Sequence, residues 1–160
     1  MNEAKIAELI AGIEKNERTL DKLQASLATA LKHDVQVLGR TENAALIIAG
    51  LLENYYTCLE TVFLRISQFF ENSLSGQRWH AELLEKMTIH IEGVRIPAVS
   101  EGNHGNLWEL LKFRHFRRYY FETGYDWDRL DLLVKKLTTA HPVVKQDLTR
   151  FIAFLRAIEP

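Results

Sequence analysis

Cysteine is almost absent from the chain: Cys58 is alone among 160 residues. An internal disulfide is therefore excluded, as is a thiolate cluster around a metal, and a cytoplasmic compartment is expected. Long apolar runs are missing too. The longest, residues 44–52, is closed by Glu53 and falls well short of the ~20 residues that cross a bilayer. The N-terminus, Met1-Asn2-Glu3-Ala4-Lys5, places acid in the first turns and lacks the pattern of a signal or transit peptide. No membrane partner is expected. The net charge is only -1, which argues against a protein that coats nucleic acid by overall basicity but leaves room for a local basic groove. No glycine-rich phosphate loop, G-x-S-x-G or dinucleotide fingerprint occurs, so a nucleotide-binding α/β enzyme is excluded. His80, His90 and His104 form neither HExxH nor a zinc spacing. No metal and no cofactor is expected.

What is present is helical periodicity. With 47% hydrophobic and 26% charged residues, the composition is that of one soluble globular domain, residues 1–160. Ile6, Leu9, Ile10, Ile13, Leu20, Leu23, Leu27 and Leu31 recur near 3.6 residues and predict a first helix over residues 3–33, with a break at 34–39. Thr41 and Glu42 open a second helix, reaching about residue 73. Its apolar groups occupy more than one face, so it is either central or also part of a subunit interface. A turn at 74–77 precedes a short helix over 79–87. Residues 88–105 carry Gly93, Pro97, Gly102 and Gly105 and read as irregular. Helices follow over 106–122 and 126–139, and a last one starts with Pro142 at its first position, where a missing N–H costs nothing. The expected fold is all-α: an antiparallel bundle of about four main helices plus a short accessory one.

The charge pattern directs attention to Phe113-Arg114-His115-Phe116-Arg117-Arg118-Tyr119-Tyr120. No acidic residue interrupts residues 110–121, whereas solvated helices usually mix signs. Leu107, Leu111, Arg114, Arg118 and Phe121 follow heptad spacing, so two arginines stand in line with apolar groups. An arginine there needs a partner. Either the stripe opens into a polar cleft, where guanidinium groups grip phosphate bidentately, or carboxylates such as Glu53 or Glu60 meet it. Lys112 and Arg117 turn to other faces and extend the candidate phosphate-binding set of Lys112, Arg117 and Arg118. His115 is a candidate general acid or base, since imidazole titrates near neutrality. Its bland alternative is an edge residue. Tyr119 and Tyr120 read as packing groups or as donors to phosphate or bases.

Several segments in order resemble the HepT-like branch of the HEPN superfamily: Trp79-His80-x-x-Leu83-Leu84-x-x-Met87, Arg95-Ile96-Pro97-Ala98-Val99-Ser100, Leu111-x-Phe113-Arg114-His115 and Asp126-Trp127. The resemblance runs from the first helix to about residue 137. It implies a small helical bundle that forms a homodimer, and a superfamily that includes metal-independent endoribonucleases, among them toxins paired with a small nucleotidyltransferase antitoxin. The family pattern is arginine, four to six residues, histidine, and often a tyrosine one residue later. The arginine maps to Arg114, the histidine position to Tyr119 and the tyrosine position to Phe121. No histidine occurs between Phe116 and Ala140. Cleavage through the 2′-hydroxyl needs a proton acceptor and charge stabilisation at phosphorus. The resemblance thus leaves Arg114, Tyr119 and His115 as candidate catalytic residues for RNA cleavage. A degenerate dimer that acts by binding RNA, a nucleotide or a protein partner is the alternative.

Overall fold

Asn2 starts the structure: its side chain accepts a hydrogen bond from the Ala4 N–H at 2.9 Å, satisfying one of the orphan donors at the helix entrance. The computed structural model describes residues 2–71, 78–120 and 124–160, with only the backbone of 119 and 120. Helix α1 (Glu3–Thr29) buries Ile6, Leu9, Ile10, Ile13, Leu20 and Leu27, while Leu23 and Leu31 pack at the edge of the core. Of the expected break at 34–39, residues 34–38 are instead helical and only Gly39 interrupts the chain. A π-helical turn, Ala30–Asp34, leads into α2 (Val35–Leu38); its wider winding lets the chain continue without breaking. Gly39 stops it with φ 78° and ψ -177°, a conformation that side chains disfavour.

Helix α3 (Glu42–Phe70) begins as expected, with Thr41 Oγ accepting from the Ala44 N–H at 3.1 Å. It packs against α1, α4 (Trp79–Met87), α5 (Glu101–Tyr120) and α6 (Trp127–Ile158). Its many-sided apolar surface is therefore used inside the chain, and α3 is the central helix. The expected turn at 74–77 lies outside the described residues. Helix α4 has the anticipated bounds.

Residues 88–100 form a docked segment. Ile91 and Arg95 exchange backbone hydrogen bonds of 2.9 Å around Gly93, whose φ is 76°. The buried Arg95 guanidinium pairs with Glu71 and donates to the carbonyls of Lys86 and Ile89 at 3.0 Å. The irregular stretch ends earlier than residue 105. The Asp147 carboxylate takes the Ser100 N–H at 2.8 Å and also its hydroxyl, which fixes the chain for α5 to begin at Glu101. Gly102 and Gly105 lie within that helix.

The two expected C-terminal helices are one. Asp126 caps α6 by accepting from the Asp128 N–H at 3.0 Å, and Pro142 sits inside the helix rather than at a start. Proline forfeits the bond to Thr138, but both residues are on the exposed side, where water can serve the carbonyl. Ala140, His141, Val144 and Leu148 bury the opposite side, and that packing carries the helix through. The result is an antiparallel all-α bundle of α1, α3, α5 and α6, with α4 as its short accessory helix. Among the described residues no helix is long and apolar enough to cross a membrane.

A methyl group placed on Gly39 would meet no heavy atom within 4 Å beyond its chain neighbours, so only backbone strain opposes a side chain there. Gly39→Ala should lower stability by about 1–2 kcal/mol in urea titrations. An unchanged midpoint would refute the strain assignment.

Candidate functional site

Arg114 is buried on α5, where its place in the apolar stripe put it, with 2% of its surface exposed. Glu60 of α3 answers the charge. Arg114 Nη1 donates to Glu60 Oε1 and Nη2 to Oε2, each at 2.8 Å. This is the bidentate fork that makes arginine–carboxylate pairs strong. The Tyr56 ring lies under the guanidinium, 5.0 Å from Cζ to centroid. Burial raises the Tyr56 phenol well above its ordinary range, and the nearby Glu60 charge adds to this. The carboxylate alternative therefore holds for this stripe, and Arg114 is not an open phosphate clamp.

A third group enters from α4. His80 Nδ1 lies 2.9 Å from Glu60 Oε2 and 3.0 Å from Arg114 Nη2. A carboxylate oxygen only accepts, so we assign the Nδ1 proton to His80, donated to Glu60. The short approach to Arg114 then reflects two donors converging on one oxygen. The tautomer leaves a lone pair at Nε2, which has no hydrogen bond among the described residues. The ring stacks on Trp79 with centroids 3.6 Å apart, and its side chain is 31% exposed. An imidazole oriented by a carboxylate through one nitrogen can take a proton at the other.

His80 also lines a cavity of about 300 Å³ between α4 and α5, together with Arg78, Trp108, Lys112 and His115. The sequence-derived candidates thus divide. Arg114 joins His80; His115 and Lys112 reach the cavity. Arg117 and Arg118 do not, since both bind Glu53 at 3.1 Å. Lys112 is also paired at the surface, with Glu109 at 2.9 Å. The Tyr119 side chain and Phe121 lie outside the described residues. His80 was set aside in the sequence because no metal motif contains it. Its signal was its place in the Trp79-His80 segment, but only the fold puts it beside Arg114.

A second polar network, exposed at its Asp21 and Lys145 end, centres on His141. His141 on α6 joins Tyr55 Oη at 2.8 Å through Nδ1 and Asp21 at 2.9 Å through Nε2. Lys145 binds the same aspartate at 2.7 Å. That hydrogen bond is the main cause holding the Asp21 carboxyl below its ordinary range, with His141 contributing further. The network ties α1, α3 and α6 together.

A family model described as HepT-like protein matches residues 47–155, which spans Glu60, His80 and Arg114. No curated protein matches the chain. No solved structure matches it either.

Two measurements test this geometry. Arg114→Met leaves the buried Glu60 charge with only the His80 N–H against it and should cost about 3–5 kcal/mol, whereas Arg114→Met with Glu60→Leu should recover most of that loss. Equal losses in both variants would refute a buried pair. The lowered pKa of Asp21 contributes stability above the ordinary carboxylate value of about 4, and this is lost as pH falls through the lower folded value. Asp21→Asn should therefore flatten the acid limb of a stability–pH profile; a profile parallel to the parent would refute the linkage.

Proposed function

The chain belongs to the HepT-like family of the HEPN superfamily, and we propose that it is a metal-independent endoribonuclease whose base is His80. The observation that carries this reading is the Glu60–His80 contact of 2.9 Å, which orients an imidazole beside the motif arginine although the motif's own histidine position holds Tyr119. His80 Nε2 takes the proton of a 2′-hydroxyl. The 2′-oxygen attacks phosphorus, the bond from phosphorus to the 5′-oxygen breaks, and His115 protonates the departing oxygen. The products are a 2′,3′-cyclic phosphate and a 5′-hydroxyl, and solvent resets the two imidazoles. Lys112 offsets charge on the phosphate oxygens. Arg114 and Glu60 are positioning residues in this scheme, because breaking their buried pair at each turnover would cost several kcal/mol.

Membership also carries the proposal of a homodimer in solution, with a small nucleotidyltransferase antitoxin as a second partner and a toxin role for this chain. The degenerate reading has its own support. Arg114, Arg117 and Arg118 all end on carboxylates of α3, which leaves little of the basic α5 run for RNA. Such a protein would act by partner binding.

The test is incubation of the purified protein with mixed RNA in the absence of metal. Cleavage to cyclic-phosphate ends is expected, falling about 100-fold or more in His80→Gln while the circular dichroism and melting point are kept. An inert parent protein would overturn the ribonuclease reading in favour of the degenerate one. Cleavage that survives His80→Gln would remove His80 from the mechanism.

A further inference from the structure

We infer that the cavity between α4 and α5 is a subsite for one nucleotide of single-stranded RNA, with its base on Trp108 and its phosphodiester on Arg78 and Lys112. The inference rests on the ribonuclease reading and names how substrate would be held beside His80. Three features of the wall support it. The first is charge. Arg78, Lys112 and the two histidines line the cavity, with no carboxylate among the described lining residues. Other clefts mix the signs: in one, Glu14, Glu17 and Asp21 stand against Arg18, Lys145 and Arg156, and in another Glu8 stands among Lys5, Lys15 and Arg65.

The second feature is an aromatic face. Trp108 is half-buried, with Lys112 Nζ 5.9 Å from its ring centroid. An indole beside a cation is the usual platform of proteins that hold single strands, where bases stack and phosphates follow the positive charge. Leu111 and Ala81 add apolar wall. The competing Lys112–Glu109 pair is nearly half exposed on both sides, and such surface pairs are weak. A phosphate can displace it cheaply.

The third feature is size. At about 300 Å³ the cavity sits at the bottom of the range of small-ligand pockets, about 300–1000 Å³. It suits one splayed nucleotide and excludes a paired one, because a base within a duplex cannot present its face to Trp108.

The probe is a fluorescein-labelled tetranucleotide with 2′-O-methyl groups, which cannot be cleaved through the 2′-oxygen, read by anisotropy beside a hairpin that holds the same four nucleotides in the middle of a stable duplex stem. The parent should bind the single strand at least about tenfold more tightly than the duplex. Arg78→Gln with Lys112→Gln, both at exposed positions, should weaken binding and reduce the slope of log affinity against log salt by about 1.5, near two contacts. Trp108→Leu should weaken it about tenfold at unchanged salt slope. Equal binding of strand and duplex, or affinity unaltered in the Arg78/Lys112 double variant, would overturn the subsite. The cleavage assay separates the two readings. Cleavage together with unaltered binding in the double variant would keep the ribonuclease and remove this cavity. Binding of the expected pattern by a protein that cleaves nothing would keep the cavity and remove the ribonuclease.

Discussion

A guanidinium inside an apolar helix stripe must find a carboxylate or the stripe cannot close, and in this protein Glu60 meets Arg114. Both partners are buried, and both oxygens of Glu60 are engaged by Arg114. The pair fixes the register of α5 on α3, because sliding either helix by one turn would separate the charges by about 5 Å in a medium that penalises unpaired ions. His80 then uses the second acceptor capacity of Oε2, which ties α4 to the same point. Three helices converge on one carboxylate.

The same device recurs along α3. Glu53 and Glu60 are seven residues apart and so lie on nearly one face of the helix; Glu53 receives Arg117 and Arg118. Glu71, just past the helix, receives the buried Arg95. An acidic line on the central helix therefore faces the cations of α5 and of the segment over residues 88–100. This explains how the all-positive middle of α5 is tolerated in a chain with a net charge of -1. The missing opposite sign is supplied from another helix.

Charge neutralisation on that scale also redistributes the chemistry. The arginines nearest the core act on carboxylates and hold the helices together. The side chains that line the cavity of α4 and α5 lie one step outward, where His80 hangs its ring on Glu60 and Lys112 pairs at the surface with Glu109. The buried pair is thus the mount, and the imidazole is what it presents.

Local rules reached far into this fold. The 3.6-residue period set the core faces of α1 and α3, and the side chains of Asn2, Thr41 and Asp126 marked or made the helix starts, because these signals act within a turn or two of chain. The heptad stripe also showed that Arg114 required either a cleft or an acid. Local rules failed where packing overrode them. Pro142 reads as a start, yet α6 runs through it because Ala140, His141, Val144 and Leu148 are buried along one side; residues 34–39 read as a break, yet a π turn carries the helix on as far as Leu38. What the sequence by itself determined was the helical content, the core stripes and the need of Arg114 for a counter-charge, all consequences of periodicity and of the cost of burying an ion. Only the tertiary structure decided which acid answers it and that His80 joins them, since Glu60, His80 and Arg114 come from three helices and their convergence depends on how those helices pack.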